Sequence, residues 1–137
     1  MGRLLAIDFG TKRTGLAVTD PLQIIATPLE TIPTHTAIKY LQDYHRDENI
    51  EEFVIGMPKN LMNNDTDSTA SVRSFINLLQ KEFPGHKIHQ VDERFTSKMA
   101  VQAMVSGGMR KSERRKKENV DKLSATIILQ SYLESKV

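Results

Sequence analysis

Apolar and polar positions alternate in short blocks along the first third of the chain. Leu4-Leu5-Ala6-Ile7 and Leu16-Ala17-Val18 are continuous apolar runs, separated by the polar stretch Gly10-Thr11-Lys12-Arg13-Thr14. That pattern predicts two buried strands joined by a tight turn. Thr19-Asp20-Pro21-Leu22 reads as a second turn, because proline presets its own φ and pushes its predecessor out of the helical region. Ile24 to Ile32 follows as a third strand, with Pro28 moving it towards a sheet edge. Three strands with short links predict an antiparallel meander.

The period then changes. Pro33-Thr34-His35-Thr36 is expected to start a helix with a hydroxyl cap, and Ile38, Leu41 and Tyr44-His45 supply its periodic face up to about Asn49. Phe53-Val54-Ile55-Gly56 is a short apolar strand of the kind buried on both faces. Lys59 to Ser71 reads as a polar loop, after which Val72, Phe75-Ile76 and Leu78-Leu79 mark a helix that stops at Pro84-Gly85. Ile88-His89-Gln90-Val91 is the last strand and delivers Asp92-Glu93-Arg94 at its end. Thr96-Ser97 can cap a helix reaching Val105, broken by Gly107-Gly108, and Val120, Leu123-Ser124, Ile127-Ile128 and Tyr132-Leu133 recur at helical spacing in a C-terminal helix. The order β-β-β-α-β-α-β-α-α predicts an α/β fold, a mixed sheet flanked by helices.

Composition narrows the chemistry. With 137 residues, 39% hydrophobic and 26% charged, the chain fits one globular domain spanning residues 1–137. Cysteine is absent, which excludes disulfide scaffolds, thiolate zinc sites and cysteine nucleophiles together. His35, His45, His86 and His89 have no HExxH-like spacing, which argues against a histidine-built zinc site. No apolar run approaches membrane-spanning length and no secretory pattern precedes the first strand, so a soluble, cytoplasmic protein with no membrane partner is expected.

One residue breaks the first apolar block. Asp8 stands inside a strand pattern, where an unpaired carboxylate would lose its hydration and sooner take up a proton than stay ionised. It therefore needs a cation, a donor cluster or a metal. Glu93, at the end of the last strand, and Asp121, on the first turns of the last helix, are two further acids at positions where other residues would serve. Three carboxylates together suit a hard cation such as Mg²⁺ or Mn²⁺. Two such ions about 3.5–4 Å apart stabilise the attacking and leaving oxygens of a phosphodiester cleavage. Each acid also has a structural alternative. Asp8 could accept turn amides, Asp121 could complement a helix N-terminus, and Glu93 could pair with Arg94 or a lysine. Strand alternation puts Val91 and Glu93 on one face and Gln90 and Asp92 on the other, so Asp92 and Glu93 cannot both face one site.

Four segments, in this order, resemble the YqgF/RuvX family: Ala6-Ile7-Asp8-Phe9-Gly10-Thr11 through Val18, Val54-Ile55-Gly56-Met57-Pro58, Val91-Asp92-Glu93-Arg94-Phe95-Thr96-Ser97, and Val120-Asp121-Lys122-Leu123-Ser124-Ala125 through Leu133. The similarity spans essentially the whole chain. It implies a ribonuclease H-like fold: a five-stranded mixed sheet, three strands antiparallel plus two parallel, with helices on both faces. Members are described as nucleases that mature the 5′ end of pre-16S ribosomal RNA and as Holliday junction resolvase-like. The family's acidic triad falls on Asp8, Glu93 and Asp121, all intact. The chain departs from the family after Pro58. There many members carry a glycine-containing run resembling N-M-D-G-T, and Lys59 through Ser68 contain no glycine. Asp65 and Asp67 have the spacing of a D-x-D metal pair, but capping of the following helix is the better reading.

The basic residues bear on the partner. Arg110-Lys111-Ser112-Glu113-Arg114-Arg115-Lys116-Lys117 gathers six cations in eight positions, although the formal net charge is only +2. Such runs are often plain solubilising surface. Beside a metal site they suit phosphate contacts, which give affinity and register without sequence information. Lys12, Arg13, Arg94, Arg110, Lys111, Arg114, Arg115 and Lys122 are therefore the candidate substrate contacts. At 6% aromatic residues and no Trp, a base-stacking platform for single strands is poorly supported, so duplex or structured nucleic acid is the expected partner. A ribosomal precursor or branched DNA follows from the resemblance. Two other classes share parts of the pattern. Actin-like ATPases and sugar kinases open with a similar D-x-G turn but need two such domains. A non-cutting RNA- or protein-binding module of the same fold would not need the three acids.

Overall fold

The apolar runs at the N-terminus pair side by side, and everything else docks on them. A computed structural model describes residues 2–57, 67–92 and 117–135, with side chains for 2–57, 70–91 and 123–135. Its elements are β1 (Arg3–Asp8), β2 (Arg13–Thr19), β3 (Ala26–Pro33), a 3₁₀ turn (Thr34–Thr36), α1 (Ala37–Glu48), β4 (Ile50–Met57), α2 (Asp67–Glu82), β5 (Ile88–Asp92) and α3 (Lys117–Ser135). The sheet order is β3-β2-β1-β4-β5. β1, β2 and β3 pair antiparallel, while β4 runs parallel to β1 and β5 parallel to β4. This is the mixed sheet that the alternation of elements predicts. Among the described residues no helix is long and apolar enough to cross a membrane.

The two faces of β1 carry two cores. Leu5 and Ile7 join Leu16, Phe53 and Ile55 beneath α1 and α2, where Leu41, Val72, Phe75 and Leu79 complete the cluster. Leu4 and Ala6 face the other way, with Ala17 and Val54, and are covered by Ala125, Ile128 and Leu129 of α3. Alternation along a strand explains the division, since successive side chains point to opposite faces. The continuous apolar run of β1 follows from having helices on both sides.

Three local expectations are corrected. β3 begins at Ala26 rather than Ile24, because the Asp20 carboxylate accepts the amides of Leu22, Ile24 and Ile25 and holds that stretch in a turn. The amides of Ile25 and Ile24 hold the Asp20 carboxyl below its ordinary 3.8. Pro28 does lie on the edge strand, opposite Ala17, beside a register shift between Leu16 and Ala17. The hydroxyl cap expected for α1 is not made. Thr36 donates back to the Pro33 carbonyl, Thr34 bonds elsewhere, and a 3₁₀ turn leads into the helix. Finally, α2 starts at Asp67, within the stretch read as loop, and Asp67 is its first residue. Packing of Val72, Phe75 and Leu79 under the sheet outweighs the weak helix propensity of Asp67-Ser68-Thr69. Asp65, the rest of the 59–66 stretch and the helix expected over Thr96 to Val105 lie outside the described residues.

The start of β4 is held by two histidines. Ile50 N–H donates to His45 Nδ1 at 2.9 Å, and His86 Nε2 lies 2.8 Å from the Ile50 carbonyl oxygen. The two imidazoles meet edge to face at 4.8 Å, beside Phe53 and Phe83. Because His45 Nδ1 accepts a hydrogen bond, that nitrogen carries no proton in the fold. Burial, and then the neighbouring His86, lower the His45 pKa from its ordinary 6.5.

Two outcomes are expected from this architecture. The unfolded chain protonates His45 more readily than the folded one. The contribution of His45 is therefore complete above about pH 6.5 and is lost as the pH falls through the window below it. Urea midpoints measured from pH 8 to pH 5 should decline more steeply for the wild type than for His45→Asn, whose amide oxygen accepts without titrating; equal slopes would refute it. The second concerns the β1–β2 turn, where a Cβ on Gly10 would sit 2.3 Å from the Arg13 carbonyl oxygen. Since that obstacle is backbone, Gly10→Ala should destabilise the protein by about 1–3 kcal/mol, seen as a lower Tm.

Candidate metal and phosphate site

Asp8 is the last residue of β1. Its ladder with β2 ends at the pair Asp8 and Gly15, and the ladder with β4 has already ended at Ile7 and Ile55. The acid thus sits at the C-terminal edge of the central strand, half-buried, where the sheet opens. Alternation places it on the face of Leu4 and Ala6, the face covered by α3. The next residue, Phe9, turns to the opposite face and packs on Phe75 of α2 with ring centroids 4.9 Å apart. Gly15, across from Asp8, is buried and presents no side chain to the acid.

α3 reaches this edge because its other end is pinned at the far one. Tyr132 stacks on His89 with centroids 4.7 Å apart, and His89 Nε2–H donates to Glu52 Oε1 at 2.8 Å. The Tyr132 phenol also bonds Glu52. Burial and then that carboxylate raise its pKa above the ordinary 10.0. His89 lies near the beginning of β5, so the C-terminal turns of α3 cover the N-terminal ends of the parallel strands. The helix therefore runs back towards their C-terminal ends. Position 121 is about 16 Å of helix before Tyr132 and one turn before Ala125, on the Asp8 side of the Ala125, Ile128 and Leu129 contact.

The remaining candidates fall in three groups. Lys12 is exposed and Arg13 partly buried in the turn that follows Asp8. Lys122 lies in the second turn of α3 beside position 121, where only the backbone is described. Glu93, Arg94, Arg110, Lys111, Arg114 and Arg115 lie outside the described residues. Glu93 follows directly on Asp92, the last residue of β5. In that strand His89 touches α3 and Val91 packs on its core, so odd positions face the helix, as alternation requires. Among the described side chains, no three acids or histidines gather in metal-ligating positions.

Sequence reasoning missed two groups here. Thr34 bonds into the turn after Asp8 from across the meander, a contact with no local signature. Ser124, one turn after position 121, is 1% exposed, and its hydroxyl has no hydrogen-bond partner among the described residues. The clue was present in the chain, since Ser124 interrupts an otherwise apolar helix stripe.

Comparison with known proteins bears on the family and the fold. The family described as "RuvX: Holliday junction resolvase" matches residues 2–135. A protein of Amoebophilus asiaticus is 53% identical over 135 residues, covering 98% of this chain and 96% of its own length. Relatives in Phocaeicola vulgatus and Porphyromonas gingivalis are each 50% identical and cover at least 98% of both chains. All three are named "Putative pre-16S rRNA nuclease". Among solved structures, Thermus thermophilus RuvC in complex with a Holliday junction substrate is similar in fold at 18% identity. Its TM-score is 0.57, with 99% of this chain and 96% of that one covered. By profile, by half-identical relatives along almost the whole length and by a RuvC-like, ribonuclease H-like sheet, the chain belongs to the RuvX family.

Proposed function

We propose that this protein is a divalent-metal-dependent endonuclease that hydrolyses phosphodiester bonds in structured nucleic acid. Its substrate is the 5′ end of pre-16S ribosomal RNA in the cytoplasm, and one domain over residues 1–137 supplies the whole site. The observation that carries the reading is Asp8 at the open C-terminal edge of β1, on the face towards which the first turns of α3 run. The names of the half-identical relatives point to the RNA substrate. The family description and the junction-bound RuvC support a second reading, a four-way DNA junction.

In this reading Asp8, Glu93 and Asp121 hold Mg²⁺ or Mn²⁺. Supporting this, strand alternation along the sequence assigns Glu93 the same face as Val91, and position 121 lies in the first turns of α3. The donor chemistry fits a hard cation, since the residues proposed are carboxylates and the chain contains no thiol. The Ser124 hydroxyl, buried and without a partner among the described residues, fits as well, because a buried donor is costly unless a further polar group, such as the water shell of an ion, meets it. When bound, the cations stabilise negative charge on the attacking and leaving oxygens.

The chain's own part is positioning. Lys12 and Arg13 hold a backbone phosphate from the turn beside Asp8. Arg94, Lys122 and the basic run with Arg110, Lys111, Arg114 and Arg115 bind flanking phosphates and set the register. Water attacks the phosphorus in line as it loses a proton to solvent, the bond to the 3′-oxygen breaks, and that oxygen takes up a proton, leaving a 5′-phosphate and a 3′-hydroxyl. In this reading the three carboxylates would repel one another without a cation, so the bound metal offsets their mutual repulsion.

Two measurements test this. On a labelled pre-16S leader RNA, Asp8→Asn should lower cleavage more than about a hundredfold, beyond the roughly 10–100-fold typical of an outer-shell partner of a metal. EDTA should abolish cleavage. Cleavage that survives either treatment excludes the mechanism, and a four-way DNA junction assayed in parallel decides between the substrates. Mg²⁺ or Mn²⁺ at a hundredfold excess over Kd should stabilise the wild type by about 2.7 kcal/mol, a Tm rise of roughly 10 °C. Asp8→Asn should flatten the response to metal; an undiminished Tm rise in that variant would count against Asp8 as a ligand.

A further inference from the structure

The turn that follows Asp8 has no sheet to define it. β4 leaves the ladder at Ile55, opposite Ile7, and β2 leaves it at Gly15, opposite Asp8. Residues 9–12 therefore cross from β1 to β2 without ladder partners, and their path decides how the Asp8 carboxylate is presented. Three hydrogen bonds to one residue supply the missing definition. Thr34 N–H donates to the Lys12 carbonyl at 3.0 Å. The Thr34 hydroxyl donates to the Gly10 carbonyl at 2.5 Å, and the Thr14 and Thr34 hydroxyl oxygens are 2.8 Å apart.

The direction of this chain is determined. A carbonyl cannot donate, so the Thr34 proton goes to Gly10, and the Thr14 hydroxyl must then donate to the Thr34 oxygen. Thr14 is fully buried, on β2 directly before Gly15. Removing the Thr34 oxygen would leave a buried donor and a turn carbonyl unpaired together, a strong bias against the observed turn. Gly10 meets the same requirement from inside the turn, where the backbone passes too close to Arg13 for a Cβ. Thr34 itself stands on rigid structure, at the end of β3 and the beginning of the 3₁₀ turn into α1.

We propose that Thr34 is a positioning residue of the nuclease site: its hydroxyl, bridging Thr14 and Gly10, sets the turn that aims Asp8 at the metal and Lys12 at the substrate phosphate. The proposal rests on Asp8 being a metal ligand, and the test separates the two. Mn²⁺ affinity is measured by calorimetric titration of the whole protein, and kcat and KM on the pre-16S leader RNA, for Thr34→Val, Thr34→Ser, Thr36→Val and Asp8→Asn. Thr34→Val keeps the size and the backbone N–H but loses the hydroxyl. It should bind Mn²⁺ about tenfold more weakly and lose about tenfold in kcat, the scale of losing a residue that orients a ligand. Thr34→Ser should restore both. Thr36→Val, which removes a hydroxyl that donates to the Pro33 carbonyl and, among the described residues, does not reach the turn after Asp8, should match the wild type in both.

Wild-type Mn²⁺ affinity in Thr34→Val, or a Thr34→Ser that behaves like Thr34→Val, overturns the positioning role. If Asp8→Asn abolishes binding and cleavage in the same series, only that role has failed. If Asp8→Asn still binds Mn²⁺ and cuts, the metal reading itself has failed. Should Thr34→Val not fold, Thr14→Val against Thr14→Ser puts the same question to the other end of the bridge.

Discussion

Leu4 and Ala6 press on α3, Leu5 and Ile7 press on the core beneath α1 and α2, and β2 and β4 close the two sides of β1. A strand enclosed on four sides has no tolerance for polarity along its length. It can carry a charge only where the enclosure ends, and Asp8 stands at that point. The position of the acid and the stability of the sheet are thus consequences of one packing arrangement, and the chain must turn away from the sheet immediately after it.

That constraint orders the rest of the molecule around the C-terminal edge of the parallel strands. β4 and β5 run in the direction of β1, so their ends open on the same side. α3 is anchored at the opposite edge by Tyr132, His89 and Glu52, which directs its first turns towards Asp8. On the other side of the sheet, Phe9 and Phe75 hold the chain as it leaves the strand, and His45 and His86 grip both backbone groups of Ile50 at the base of β4. The proposed site lies where these supports end. Ligands of open α/β sheets bind outside the carboxyl ends of the strands for the same reason.

Much of this was legible in the chain. The apolar blocks of β1, β2 and β4 are long and bounded by turn residues, and the stripe of α3 recurs at helical spacing, so element type and order followed from periodicity. Pro28 marked an edge strand, and the structure has it there. Asp8 stood out by the hydrophobic pattern alone, as the one acid in an apolar block. Less legible were boundaries set by side chains reaching across short distances in space. The three amides captured by Asp20 delay β3, and the packing of Val72 and Phe75 draws the helix back to Asp67 against its local preference. Thr34 read as a helix cap because Ser and Thr favour that position, whereas its hydroxyl serves a turn formed by residues much earlier in the chain.

Taken alone, the sequence determined the five strands and the order of the described helices, the anomalous acid of β1 and the family, because hydrophobic period and ordered motifs are properties of neighbours along the chain. The tertiary structure decided which face each residue takes, the direction of α3 across the sheet, and the bridge from Thr14 through Thr34 to Gly10. These depend on pairs brought together by folding, whose energies come from burial and hydrogen bonding between distant segments. A residue with ordinary local preferences, such as Thr34, acquires its part only when the meander closes on it.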